Sequence, residues 1–271
     1  MEELIIEPGR GERNYWRDLW RFRELFYILA WRDILVRYKQ TVIGAAWALV
    51  RPMITMLVFT FLRKVGKFPA HSVPEPIYVF AAVLPWQFFA SALAESSNSL
   101  ISNSNLISKI YFPRLLIPAS SIVTSLVDFV ICLVFLAMLM VGYGYLPGPH
   151  ILLLPLLIIL TFALSTGAGI WLAALNVEYR DFRYVVPFIV QFGLFVSPVA
   201  ISTADVPIKW RWLYALNPMV GVIDAFRWSI CAGSTPLDTS ILAISLFVSG
   251  FLLASGIYYF RRMEKGFADV I

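Results

Sequence analysis

The sequence predicts an all-α, polytopic membrane protein with six transmembrane helices. Of its 271 residues, 59% are hydrophobic and only 14% are charged, and the mean hydropathy is +0.75. A soluble domain carries about 25% charged residues, so most of this chain belongs in lipid. Its apolar runs approach the ~20 residues that a helix needs to cross a bilayer. We therefore expect a single transmembrane domain over residues 1–271.

A cationic amphipathic helix precedes the first predicted span. Arg10, Arg13, Arg17 and Arg21 recur at intervals of three or four residues, with aromatic and aliphatic side chains on another face. This pattern is typical of a helix that lies in the membrane interface. We expect a cytosolic interface region over 10–40. It serves either as a surface anchor alone or also as a collar that touches a cytosolic partner.

The six predicted spans lie within 42–260, and a cytosolic tail follows over 261–271. Between the fifth and sixth spans, residues 204–236 mix apolar and polar side chains and break at Asn217-Pro218. Neither half of this segment is long enough to cross a bilayer, so we expect re-entrant helices there. The spans are placed at about Val42–Leu62, from Ile77 onward, Leu115–Val141, Ile151–Leu175, Val186–Ile201 and Leu237–Phe260.

The distribution of basic residues predicts the orientation of these spans. With both termini cytoplasmic, fifteen of the 22 Lys and Arg residues fall on the cytosolic side and six fall outside. Positively charged loops stay on the cytoplasmic side during insertion. The formal net charge of +5 is thus attributed to membrane orientation, and no nucleic-acid partner is expected.

Motifs for covalent chemistry are missing from the sequence. It contains neither HExxH nor GxSxG, the patterns of zinc proteases and serine hydrolases. Its one Gly-Lys pair, Gly66-Lys67, lacks the earlier Gly and the following Ser or Thr of a nucleotide-binding P-loop. We expect no catalytic residues, no metal site and no cofactor bound by this chain. If ATP drives the protein, another chain binds it.

Two charged residues lie deep within predicted spans, Arg51 in the first and Asp128 in the third. Intramembrane charges are costly and face protein or a wet cavity. One hypothesis pairs Arg51 with Asp128 inside the protein. The other places Arg51 on a substrate path, where its guanidinium binds a phosphate group.

Several segments, taken in their order along the chain, resemble the membrane subunits of type-2 ABC exporters. The subgroup that they resemble exports O-antigen, capsular polysaccharide or teichoic acid. They are WRDILVRYKQTVIGAAWALVRP, NLISKIYFPRLLIP, LNVEYRDFRYVVPFIVQFGLFVSPV, LNPM and FRRMEKGFADVI. The resemblance implies a homodimer of permeases with two separate ABC ATPase subunits, which bind ATP and Mg. It also implies residence in the bacterial inner membrane.

The resemblance also implies roles for particular residues. A short cytosolic helix would dock on the ATPase, with a second possible contact at Arg180, and Asn217 with Pro218 would line an outer gate. A connecting loop without a docking role is the alternative for the short helix. The residues implied for ATPase coupling are Asn105, Leu106, Ile107, Lys109, Tyr111, Phe112, Pro113 and Arg180.

A lipid-linked polysaccharide needs a hydrated path, because each hydroxyl group buried in lipid without a partner costs several kcal/mol. Sugar C–H faces slide over aromatic rings, although aromatic residues also fill cores and form interfacial belts. The candidate path residues are Arg51, Tyr78, Trp86, Phe88, Phe89, Phe192 and Phe195.

The sequence therefore predicts the transmembrane subunit of an ATP-driven exporter of a lipid-linked polysaccharide. One alternative is a type-2 ABC exporter of a small molecule or drug. Another, from a different class, is a membrane-embedded enzyme acting on lipid-linked sugars, such as a transferase.

Overall fold

A computed structural model describes residues 15–39, 44–69, 72–199, 201–233 and 236–267. All regular structure in these ranges is helical, which confirms the all-α prediction. Residues 1–14, 40–43 and 268–271 lie outside the described ranges; they include Arg10 and Arg13 of the predicted interface region, the start of the predicted first span and the end of the predicted tail. The α-helices are α1 (Tyr15–Arg21), α2 (Arg23–Lys39), α3 (Trp47–Val65), α4 (Glu75–Ser102), α5 (Ser104–Lys109), α6 (Leu116–Gly142), α7 (Leu154–Glu178), α8 (Phe182–Val196), α9 (Ile208–Tyr214), α10 (Met219–Ile230) and α11 (Thr239–Met263).

Four helical segments in the described ranges are long and apolar enough to cross a bilayer. Two further helices belong to the predicted set of six spans. α3 has 19 residues and carries Arg51, Arg63 and Lys64, and α8 has 15 residues, roughly 22 Å at 1.5 Å per residue. The polytopic prediction is confirmed, and the count of six remains a prediction. The four segments are Glu75–Ser102, Leu116–Gly142, Pro149–Glu178 and Thr239–Gly266.

α4 is the central helix of the bundle. It packs against α3, α6, α7, α8 and α10, and its exposed residues are Glu95, Asn98 and Ser102. Pro76 lies in its first turn, where the backbone N–H group that proline lacks would have no partner within the helix. The polar run at residues 95–98 near its end continues the helix to Ser102. The side-chain amide of Asn176 of α7 donates to the carbonyl of Ser97 at 2.8 Å, so this hydrogen bond joins the polar ends of the two helices.

α7 and α11 cross at two glycines. A Cβ on Gly256 would lie 2.6 Å from the carbonyl oxygen of Gly167, and one on Gly167 would lie 2.5 Å from the Leu253 nitrogen. Small residues let helix backbones approach closely in membranes. Gly167 and Gly169 are two residues apart, so they do not form a GxxxG motif. The glycine that Gly167 contacts is Gly256 of α11.

An apolar cluster, the end cluster, lies where α1 and α2 meet the ends of α4, α6, α7 and α11. It includes the segment after α5, through Phe112, and the residues after α11, through Phe267. α2 continues from this cluster along α6. The buried residues of the end cluster are Tyr15, Leu29, Leu100, Ile107, Phe112, Leu115, Leu116, Ile117, Ile170, Ala173, Ala174, Val177, Phe260 and Phe267.

The segment between α8 and α11 forms two short helices, α9 and α10. α10 has 12 residues and is buried almost throughout, packed against α4, α7 and α11. At roughly 18 Å it is shorter than a bilayer core of ~30 Å. Both helices therefore have the lengths expected of re-entrant segments, and the break at 215–218 lies where Asn217-Pro218 predicted it.

Candidate functional site

A cavity of about 610 Å³ lies between α2, α3, α4 and α6. Polar and charged side chains from all four helices line it, together with aromatic rings from α3, α4 and α6. A cavity of this size fits a small ligand or a headgroup. Its polar and aromatic lining includes Arg37, Tyr38, Trp47, Arg51, Thr55, Gln87, Phe88, Ser91, Glu95, Ser125, Asp128 and Phe129.

One arginine links two carboxylates at this cavity. Arg37, in the last turn of α2, contacts Asp128 with 2.5 Å between Nη1 and Oδ2. Its other terminal nitrogen contacts Glu95 of α4. Tyr38 donates its hydroxyl to the second oxygen of Asp128, and burial with this carboxylate raises the pKa of Tyr38. Tyr38 therefore stays protonated and keeps its role as a donor.

The predicted pair of Arg51 with Asp128 is wrong. Asp128 lies roughly 18 Å along α6 from Leu116, and α2 extends far enough beside α6 for Arg37 and Tyr38 to reach it. Arg51 lines the same cavity but makes no ion pair with any residue that the structure describes. Its side chain is exposed, so an anion that enters the cavity has access to it.

Three of the candidate path aromatics lie in the protein interior. Tyr78, Trp86 and Phe89 expose 0%, 4% and 9% of their surface and do not line the cavity. They are held there because neighbouring helices cover the first half of α4, where residues 77–86 are all buried. The path prediction is thus corrected for these three, whose rings fill the core of a single chain.

Phe88, Phe192 and Phe195 have different surroundings. Phe88 is buried but reaches the cavity wall, with its ring centroid 5.2 Å from that of Phe129. Phe192 and Phe195 on α8 are 53% and 71% exposed. They belong to a face of α8 that no described residue covers, since Val186 is the only buried residue of the helix.

The predicted coupling segment has a buried base and an exposed tip. Ile107, Phe112 and Pro113 are buried, and the first two belong to the end cluster. Leu106 is half-buried. The exposed members are Asn105, Lys109, Tyr111 and, on the α7–α8 turn, Arg180.

Ile110 is exposed by 55% at the same tip, and the sequence prediction missed it. Its position between Lys109 and Tyr111 was the available signal. The tip therefore presents an aliphatic, an aromatic and a cationic side chain together, and exposed aromatic side chains such as Tyr111 are enriched at protein–protein interfaces.

Asn217 and Pro218 connect α9 to α10 and join them to the end of α8. The Asn217 amide donates to Ser197 Oγ at 3.0 Å, and its oxygen accepts from the Met219 N–H at 3.0 Å. Pro218 begins the helical turn into α10. Both predicted gate residues are therefore at a tight junction between three helices.

Arg227 of α10, one of the six basic residues predicted to lie outside, is fully buried at the same end of the bundle. It donates to the carbonyls of Pro198 at 2.5 Å and Val199 at 3.2 Å. Its guanidinium carbon lies 4.4 Å from the ring centroid of Tyr78, within the range of cation–π attraction. Arg227 thus fixes α10 to the end of α8 and to α4.

Comparison with known proteins identifies the family. The model of the ABC-2 type transporter membrane family matches residues 24–231. The chain belongs to this family. The matched region contains the cavity, the coupling segment and the α9–α10 junction, so the described sites lie within the part that defines an ABC-2 transporter.

Curated relatives resemble the chain over nearly its full length. The O-antigen export system permease protein RfbA of Myxococcus xanthus is 29% identical over 260 residues, covering 94% of this chain and 98% of the relative. Two permeases of the same name from Klebsiella pneumoniae are 25% and 26% identical, and each alignment covers 92% of this chain. Family membership makes the chain a transport subunit, in agreement with the missing catalytic motifs.

Proposed function

We propose that this chain is the permease subunit of an ATP-driven exporter that moves a lipid-linked polysaccharide, of the O-antigen or capsule type, across a bacterial inner membrane. The observation that carries the proposal is the similarity to O-antigen export permeases over 94% of this chain and 98% of the relative. The chain performs no covalent chemistry in this scheme. ATP and Mg bind to two separate ATPase subunits.

A second copy of the chain completes the transport path in this proposal. The cavity of about 610 Å³ is small for a chain of sugars that must keep its hydroxyl groups hydrated. α8 and α3 both leave apolar faces uncovered, including Phe192 and Phe195 on α8 and Phe61 on α3. Two such faces across a two-fold axis enclose a wider passage, with aromatic rings available to sugar C–H faces.

Arg51 binds the phosphate that joins the glycan to its lipid carrier. The support is its exposed position on the cavity wall and the pairing of Asp128 with Arg37 instead. A planar guanidinium that has no ion-pair partner among the described residues suits the charged oxygens of a phosphate group, because two of its N–H groups can bind two of those oxygens at once.

The exposed tip at Lys109–Tyr111 docks on the ATPase, with Arg180 as a second contact. Closure of the ATPase pair would move this tip and change access to the path by a rigid-body or shear movement. Both termini lie in the cytoplasm in this arrangement. Six spans, with α9 and α10 as re-entrant helices, complete the topology.

The test is reconstitution of the purified chain with its ATPase subunit in lipid vesicles. We expect the two chains to copurify, and ATP to drive a lipid-linked glycan across the bilayer. Hydrolysis should be stimulated by the glycan-bearing lipid more than by the free carrier lipid. Stimulation by a drug alone would support the small-molecule exporter, and turnover of a sugar by the permease without ATP would support an enzyme. Either result would overturn the proposal.

A further inference from the structure

The chain folds back on itself after α11. A 3₁₀ turn spans Glu264–Gly266, and Phe267 then returns to the end cluster, where it is 2% exposed. Its ring centroid lies 5.3 Å from that of Phe260 in a T-shaped arrangement. This part of the tail is therefore packed against the base of the bundle.

Glu264 binds the residue that directly follows the coupling segment. Its carboxylate accepts from the backbone N–H of Arg114 at 2.6 Å, and the Arg114 guanidinium donates to the Glu264 carbonyl. These reciprocal hydrogen bonds join residues 150 positions apart. Arg114 directly follows Pro113, so the bonds hold the backbone between the coupling tip and α6.

Side chains around Glu264 reinforce this contact. The guanidinium carbon of Arg261 lies 4.6 Å from the ring centroid of Tyr15 in α1. Burial and the Glu264 carboxylate raise the pKa of Tyr15, so the phenol stays neutral beside the carboxylate. Ile107, Phe112 and Phe267 all belong to the same apolar cluster. The tail thus shares a packed core with the base of the coupling segment.

The other end of the coupling segment is held by a different element. Arg32 of α2 donates to the side-chain oxygen of Asn103 at 2.8 Å, and Asn103 immediately precedes α5. The segment is consequently supported by α2 before the tip and by the tail after it. Charged hydrogen bonds of this kind are stronger than neutral ones.

We propose that the C-terminal tail positions the ATPase-coupling segment, with Glu264 as the positioning residue. Glu264 keeps the Lys109–Tyr111 tip in one orientation and links its movement to α11. α11 packs closely on α7 at Gly256 and Gly167, so a displaced tip carries this helix pair with it as well as α6. The inference rests on the proposed coupling role of the segment and gives the tail a mechanical role in transport.

The first test needs neither substrate nor ATPase. A spin label is placed at Lys109→Cys in the full chain in nanodiscs, where both native cysteines are buried. Glu264→Ala should increase the mobility of this label. Glu264→Gln should not, because its amide oxygen can still accept from Arg114. Arg262→Ala is the matched control, because Arg262 is an exposed neighbour. A label at Tyr184→Cys on α8 should be unchanged throughout, and equal spectra at position 109 for all variants would overturn the proposal.

The second test measures coupling in the assembled transporter. Glu264→Ala should lower glycan export per ATP hydrolysed by about tenfold, the loss expected for one charged hydrogen bond. ATP hydrolysis itself should remain within about twofold of the unaltered transporter. Glu264→Gln should restore the export ratio. A parallel fall of export and hydrolysis, with an unchanged ratio, would show that Glu264 serves assembly alone and would contradict the proposal. Failure of the unaltered transporter to export glycan would instead count against the proposed function.

Discussion

Arg37 of α2 and Asp128 of α6 form an ion pair, with 2.5 Å between Nη1 and Oδ2, and this contact joins the interface region to the middle of a membrane span. Both side chains keep about a quarter of their surface exposed, 26% and 22%. The pair therefore stabilises the position of α2 without being fully withdrawn from solvent.

Asp128→Ala is expected to destabilise the protein by about 1–2 kcal/mol, because Arg37 and Tyr38 lose a shared acceptor while Glu95 still neutralises part of the Arg37 charge. Thermal unfolding in detergent measures this effect. The double variant Asp128→Ala with Arg37→Ala should lose less stability than the sum of the losses in the two single variants. Additive losses would show that the two residues act independently.

Arg51→Met is expected to leave the unfolding temperature unchanged and to lower glycan export by at least about tenfold, because a charged hydrogen bond to phosphate is lost. The measurement is export in vesicles at equal amounts of assembled transporter. Arg51→Lys should retain part of the activity, since the positive charge remains. Normal export by an unstable Arg51→Met protein would exclude the phosphate role.

Gly256→Ala is expected to destabilise the protein by about 1–3 kcal/mol, the usual cost of overpacking. The new methyl group would collide with the Gly167 backbone of α7, and backbone cannot rotate away. The matched control lies in the same helix: a Cβ on Gly250 meets nothing within 4 Å, so Gly250→Ala should be neutral or stabilising by up to about 1 kcal/mol. Equal unfolding temperatures for the two variants would refute the close crossing.

Arg227→Met is expected to cost about 3–5 kcal/mol, the range for breaking one side of a buried pair. It leaves Asp224 and the carbonyls of Pro198 and Val199 without their donor. Limited proteolysis of the α8–α10 region measures the loosening. Lys209→Met, at an exposed position of α9, should resist proteolysis as the unaltered chain does. If Arg227→Met does not accumulate, Arg227→Lys is used in its place. Lysine keeps the positive charge but lacks the planar guanidinium that binds two carbonyls at once, so a smaller loss is expected.

Periodicity and charge were sufficient to predict most helices, because apolar length and turn residues are local features of a sequence. The predicted third span, Leu115–Val141, nearly coincides with α6 at Leu116–Gly142. The predicted fourth span ends at Leu175, whereas α7 continues to Glu178. Ser97 and Asn176 are polar residues, which a sequence pattern assigns to a loop. Their burial inside the bundle is favourable because the Asn176 amide donates to the Ser97 carbonyl across the two helices.

Side-chain pairing was harder to predict than the helices, since it depends on the relative placement of distant elements. Arg51 and Asp128 were the two conspicuous charges in apolar sequence, yet the partner of Asp128 came from the basic stretch before the first span. No pattern in the sequence distinguishes Arg37 from its exposed neighbours. Similarly, Tyr78 and Trp86 became core residues because α4 is central, and centrality is a property of the whole bundle.

The covered position of α4 also limits how transporters of this kind can change over generations. α4 packs along its length against five neighbouring helices, so most substitutions in it disturb a helix contact, whereas α3 and α8 each keep a face that no other part of the described chain touches. Adaptation to a new cargo is therefore least costly at the periphery. We expect natural variation to accumulate on the free faces of α3 and α8 while the middle helix changes slowly.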